Sequence, residues 1–343
     1  MKKIFFSLQV LTLVCTASLL QAQTKLHIVN TFHIASPGGW DYIAVGPGNN
    51  RVYVSHGTQV NILNASTGDS LGVIDSTIGV HGIAFDKELG KGYTSNGRLN
   101  NVTVFDLASN KVLNHISTGT NPDAIMFDGF SKKIITCNGR SQDLSVIDPV
   151  TEKVVATIPV GGKPETAVSN EAGKIFVNIE DKNEIVEVDI TKNVVENHWP
   201  LGPGKAPTGL AIDRSTKKLF AGCGDNKWLI ILDASDGKIV DSIGIGDGCD
   251  GVAFDNGTKN IFTSNGEGTL SVVHEASANK FEKVADVPTK RSARTVAVDE
   301  KTHNVFLPAA DYEPLTDEQK AATPRPRPKM IAGSFQVLVV GEK

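Results

Sequence analysis

Six ionisable side chains recur at one place in a repeating unit. Asp41, His81, Asp123, Glu165, Asp250 and Arg294 each stand two residues before a short apolar segment, and Thr208 holds the seventh such place. Four carboxylates, an imidazole and a guanidinium gathered together would shift one another's pKa values, as functional clusters do. A second set ends the next apolar segment of each unit: His56, Asn96, Asn138 and Asn265, with Ile179, Cys223 and Ala309 in the other units. The four carboxylates with the amide oxygens of Asn96, Asn138 or Asn265 form an oxygen-rich set suited to Ca²⁺ or Mg²⁺. His56 and His81 would instead favour a transition metal. No ligand spacing supports either, because the ligands would come from separate units. As acid/base chemistry, His81 or Glu165 would move a proton while Arg294 or a divalent metal stabilised an enolate or oxyanion. The plainer reading is that each residue caps its own loop or pairs with the next unit.

The units that carry these residues are regular. Each begins with a small apolar strand that usually ends in Asp, and the seven strands begin at Ile43, Ile83, Ile125, Ala167, Leu210, Val252 and Val296. The steps between them are 40, 42, 42, 43, 42 and 44 residues. A period in the low forties with several strands per unit reads as a propeller blade, so an all-β, seven-bladed β-propeller of four-stranded blades is expected. In blade 3 the strands read Ala124–Phe127, Ile134–Cys137, Leu144–Ile147 and Val154–Val160, named A to D. Asn138-Gly139 turns B into C, and Asp148 starts the C-to-D turn, where Asx side chains accept backbone N–H bonds. Asp106, Asp189 and Asp233 recur at that turn and are read as structural. Aromatics are 6% of the chain, so the core is expected to rest on β-branched aliphatics.

Both chain ends bear on closure. The seventh unit ends without a strand D, while residues 27–35 align gaplessly with strand D of blade 3 at 153–161. Ile28, Val29, Phe32 and Ile34 fall on Val154, Val155, Ile158 and Val160. The N-terminal strand is therefore expected to supply the outer strand of blade 7. Before it, Lys2 and Lys3 precede an apolar run from Ile4 to Leu20, followed by Gln21-Ala22-Gln23. This has the layout of a secretory signal over residues 1–23, leaving a single propeller over 24–343 in the periplasm or outside the cell. With Lys2 and Lys3 gone, 32 basic residues face 38 acidic ones, a formal net charge of −6. That balance argues against nucleic acid as a partner. Cys137, Cys223 and Cys249 remain, an odd number that leaves a thiol free and argues against a disulfide framework.

The B-to-C hairpins carry a resemblance. Tyr93–Gly97 reads Y-T-S-N-G, Ile135–Gly139 reads I-T-C-N-G and Phe262–Gly266 reads F-T-S-N-G. The segment Asp148–Gly161, D-P-V-T-E-K-V-V-A-T-I-P-V-G, follows the second hairpin. These resemble the YVTN repeat of YncE-like seven-bladed propellers, exported bacterial proteins, and the likeness runs through residues 26–343. Blades 1, 4, 5 and 7 depart from it, with Tyr53-Val54-Ser55-His56 in blade 1. The motif describes a hairpin rather than a site, so the resemblance implies fold and export more than chemistry.

Strand direction places the chemistry. The D-to-A and B-to-C connections share one face, so both residue sets are expected around the mouth of the axial channel. Blade 7 inserts Asp311–Gly333 between B and C, with a short helical stretch at Thr316–Ala322 and then Pro324-Arg325-Pro326-Arg327-Pro328-Lys329. On the same face, this loop would form a lid or rim. There is no haem-attachment, Walker, nucleophile-elbow or H-E-x-x-H motif. The expected function is binding of a small ligand, peptide or partner protein at the mouth by a monomeric exported ring. The alternative is a lactone hydrolase or C–O lyase, a chemistry that propellers similar to this one support.

Overall fold

The computed structural model describes residues 25–48, 50–322 and 328–342, so the signal-like segment 1–23 lies outside the described residues. Seven antiparallel sheets of four strands form the blades. In blade 3, strand A is Pro122–Asp128, B is Lys133–Asn138, C is Asp143–Asp148 and D is Lys153–Pro159. The first three contain the expected apolar segments with flanking polar residues added, and strand D begins one residue earlier and ends one residue before the expected Val154–Val160. Asp148 starts the C-to-D turn as expected: its Oδ1 accepts the N–H groups of Val150 and Thr151, both at 2.9 Å. These bonds and Lys133 hold its pKa down to about 2. Asp106, Asp189 and Asp233 accept N–H groups from Ser109, Thr191 and Ser235 in the same way. No helix among the described residues is long and apolar enough to cross a membrane.

The ring closes through the N-terminal strand. His27–His33 pairs antiparallel with Gln336–Gly341, outside Asn304–Ala309 and Ala297–Asp299. Even the irregularities align. Pairing skips Val29 in blade 7 and Val155 in blade 3, the two positions that the sequence alignment superimposes. Such bulges bend the outer strand and increase its twist. Of the four apolar residues expected to fill blade 7, Phe32 and Ile34 are buried, Val29 is half-buried and Ile28 is exposed. A two-residue period leaves every other side chain of an outermost strand facing water.

Hydrophobic cores lie between blades rather than within them. Seven clusters each join two neighbouring blades, and one of them joins blade 7 to blade 1 through Phe32, Phe306, Val52 and Val54. The scarce aromatics are concentrated at these seams. The third residue of strand B is Tyr53, Tyr93, Phe176, Phe220, Phe262 and Phe306 in six blades, each almost wholly buried, with Ile135 in blade 3. The aliphatic core expected from composition is thus wedged apart by one large ring at this position in six of the seven blades.

Candidate binding site at the axial mouth

Strand A begins earlier than its apolar segment. It spans Trp40–Val45, Val80–Asp86, Pro122–Asp128, Pro164–Ser169, Pro207–Asp213 and Cys249–Asp255 in blades 1 to 6. In all six, the register with strand B slips just after the first residue, between Trp40 and Ile43 in blade 1 and between Val80 and Ile83 in blade 2. Asp41, His81, Asp123, Glu165, Thr208 and Asp250 are bulge residues within the strand rather than loop caps. A bulge re-aims the side chain it carries.

Five of the six ionisable residues meet in one network. His81 Nδ1 stands 2.6 Å from Asp41 Oδ2 and 3.8 Å from Asp123 Oδ1. Arg294 pairs with Asp250 through one amino group and reaches Asp41 Oδ1 at 3.4 Å with the other. Glu165 is held differently: Lys163 Nζ bonds its Oε1 at 2.6 Å and also pairs with Glu180. Burial raises the Asp123 carboxyl to about 6, with His81 opposing and Asp41 and Asp250 adding to the rise. Burial also raises Glu165 to about 8, reinforced by the charge of Asp123 and opposed by Lys163. Asp250 is raised by burial against the pull of Arg294. Burial pulls His81 down, but the hydrogen bond to Asp41 and the charges of Asp123, Asp41 and Glu165 outweigh it, so its pKa is raised. Asp41, Asp123 and Asp250 outnumber Arg294 beside them, which leaves the mouth acidic.

Short polar side chains fix the backbone of this network from blade to blade. Ser95 accepts Gly82 N–H and donates to the carbonyl of Asp123 in the next blade. Ser264 donates to the carbonyl of Arg294, Thr208 to that of Cys249, and Thr295 to that of Asp41.

The second residue set does not join the mouth network. Asn96 donates to Asn101 and Thr103 and accepts from Thr94, while Asn138 donates to Asp143 and Ser145 and accepts from Thr136. Asn265 repeats the arrangement with Thr269, Ser271 and Thr263. All three are wholly buried. Thr and Asn two residues apart share one face of strand B, so the amides bond towards strand C rather than the axis. His56 is buried as well, with Nδ1 near Ser36 and Asn61, Nε2 near the Gly38 carbonyl, and its ring against Phe335. Burial lowers its pKa. Cys137, Cys223 and Cys249 are free and buried, and burial pushes Cys223 up to about 12.

Tyr42 was not singled out by sequence, yet it sets the floor of the mouth. The residue after each of the seven entry positions is small in six blades, Gly82, Ala124, Thr166, Gly209, Gly251 and Thr295, and is Tyr42 in blade 1. Its ring reaches the core shared by blades 3 and 4, across the axis from its own blade. Burial and the charges of Asp123, Glu165, Asp41 and Asp250 raise its pKa strongly. Tyr42, strand A residues of blades 1 to 6, and Thr295 and Val296 of blade 7 line an axial cavity of about 180 Å³. One large residue in a column of small ones was the available signal.

The blade 7 insertion lies beside the mouth. Glu313 N–H bonds the Lys329 carbonyl and Ile331 N–H the Asp311 carbonyl, extending the hairpin, while Thr316 and Gln319 cap the helix Asp317–Ala322 reciprocally. Residues 323–327 of the proline-rich run lie outside the described residues. The Tyr312 ring is 6.3 Å from the Trp40 ring, and burial raises its hydroxyl pKa against the opposing influence of Arg294 and Ser292.

No family model matches the chain, and no curated protein matches it in sequence. Solved structures do match. A chain of Kuenenia stuttgartiensis hydrazine synthase superposes with a TM-score of 0.70 at 15% identity, covering 80% of this chain and 94% of that one. A chain from a crystal structure of the mitotic checkpoint complex gives 0.74 at 12% identity, covering 100% and 99%. At such identities the likeness shows the fold alone: a seven-bladed β-propeller. This fold commonly mediates ligand or protein binding.

Proposed function

We propose that this is an exported YncE-like propeller that binds a cationic ligand at its axial mouth, an ammonium or guanidinium presented by a small molecule or peptide. The carrying observation is the convergence of Asp41, Asp123 and Asp250 near Tyr42, where Arg294 is already paired and acidic charge is left over, while Glu165 is engaged by Lys163. The hairpin motifs support the family, and the segment 1–23 supports export to the periplasm or beyond. Calorimetric titration of residues 24–343 with spermidine tests the reading. Binding should be 1:1, weaken with salt, and fall about tenfold, roughly 1.4 kcal/mol, in Asp123→Asn. Equal affinity in wild type and variant would reject the mouth as the site.

A second reading rests on the His81–Asp41 contact of 2.6 Å, which orients an imidazole as a base is oriented. In it the protein is a lactone hydrolase or C–O lyase, with His81 as acid/base and Glu165 and Arg294 assisting. Lactone turnover by wild type and its loss in His81→Gln would favour this reading.

A further inference from the structure

We propose that Asp41, His81 and Asp123, from three successive blades, form a site for one divalent transition ion of the Zn²⁺ or Mn²⁺ class. The proposal deepens the cation-binding reading and rests on it. One donor atom from each residue lies within 4.8 Å of the other two. Donors about 2.1 Å from a shared ion stand roughly 3.0–3.5 Å from one another. The His81 Nδ1 separations of 2.6 Å and 3.8 Å bracket that range. Small side-chain rotations would therefore place an ion among the three donors, replacing the proton shared between His81 and Asp41.

Charge and surroundings agree with this. Two carboxylates and a neutral imidazole carry the charge a dication balances. Among the described residues no hydrogen-bond donor reaches the Asp123 carboxylate, and His81 Nδ1 stands 3.8 Å from it. Arg294 holds Asp41 by its other oxygen, Oδ1, leaving Oδ2 directed at the site. Outer contacts of that kind orient metal ligands. Beyond the imidazole, a Cβ on Gly97 would come within 2.7 Å of His81 Nε2, so the absence of a side chain there leaves room for the ring.

The donor set selects the class of ion. Ca²⁺ takes six to eight oxygens, and the amides that could have supplied them, Asn96 and Asn138, are bonded inside their blades. Three protein ligands including one imidazole suit a transition ion completed by water or by a ligand group.

The test is calorimetric titration of metal-stripped residues 24–343 with ZnCl₂ and MnCl₂, with circular dichroism confirming that each variant folds. At least one ion should bind 1:1, about tenfold or more weakly in Asp123→Asn and His81→Gln, unchanged in the distant turn variant Asp106→Asn, and with Ca²⁺ much weaker. Gly97→Ala, which keeps all three ligands and displaces the ring, should also weaken binding. Metal binding unaffected by the mouth variants overturns the proposal. If neither ion binds while spermidine does, the metal site falls and the cation-binding mouth stands. If neither the metals nor spermidine bind, both fall.

Discussion

Thr295 donates its hydroxyl to the backbone carbonyl of Asp41, 254 positions earlier in the chain. This bond crosses the seam where blade 7 meets blade 1, so closing the ring and positioning the first mouth carboxylate are one event. Arg294, beside Thr295, then reaches Asp41 and Asp250 on either side of the seam. Loosening the closure should therefore disturb the mouth as well as the fold.

Phe32 is the residue by which to test closure. It is buried against Phe306, and a Cβ on Gly68 would fall 2.3 Å from its ring. Phe32→Ala should cost about 3–5 kcal/mol, the usual range for a buried aromatic, read as a lower urea midpoint with an unchanged slope. Deleting residues 24–36, which also removes Ile34 and a whole strand of pairing, should give insoluble or unfolded protein. A deletion that melts as wild type does would sink the closure.

The buried amides should matter for stability and not for binding. Asn138→Ala strips partners from Asp143, Ser145 and Thr136. The expected loss is about 1–3 kcal/mol for buried groups left unsatisfied, with spermidine affinity unchanged below the melting point. Chemical denaturation and titration on the same sample check this. A stable variant with lost binding would return Asn138 to the site.

Stability should fall as pH rises through the neutral range. The folded-state pKa of Glu165 is about 8 and that of Asp123 about 6, both above their unfolded values near 4.5 and 3.8. Between those limits the folded protein holds protons that the unfolded chain has released, so each carboxyl's contribution is full below its unfolded value and gone above its folded one. His81, also raised, acts in the same direction above about 6.5, while His56, lowered by burial, acts against the decline below about 6.5. Melting temperatures measured from pH 4.5 to 8.5 should decline, and Glu165→Gln with Asp123→Asn should flatten the decline. A wild-type curve rising across that range would contradict the assigned shifts.

Export has a direct check. Mass spectrometry of the protein from an exporting host should show a new N-terminus between Gln23 and Lys25. Met1 retained in the membrane fraction would mean an anchor.

Much of this architecture was legible in the sequence because it is periodic. The spacing from Ile43 to Val296 gave seven blades, and the alignment of residues 27–35 with strand D of blade 3 held down to the bulge at Val29. The mouth carboxylates were legible as well, since a charged residue ahead of an apolar strand recurs at fixed phase. What was lost depends on the direction of single side chains. Asn96 and Asn138 stand at the right end of the blade but share a face with Thr94 and Thr136, and local bonding turns them into the sheet. Lys163, which binds Glu165, lies outside the repeat pattern and becomes visible only once the chain is folded. Tyr42 fills a space that the small residues of six other blades leave open, and such a space exists only in the closed ring.

A crystal structure of residues 24–343 grown with spermidine tests the central claim most directly. The account predicts an ammonium group above Tyr42, at hydrogen-bond distance, about 2.7–3.2 Å, from the carboxylates of Asp41 or Asp123. Spermidine bound at the opposite face or along the outer strands, with the mouth free of it, would contradict the account.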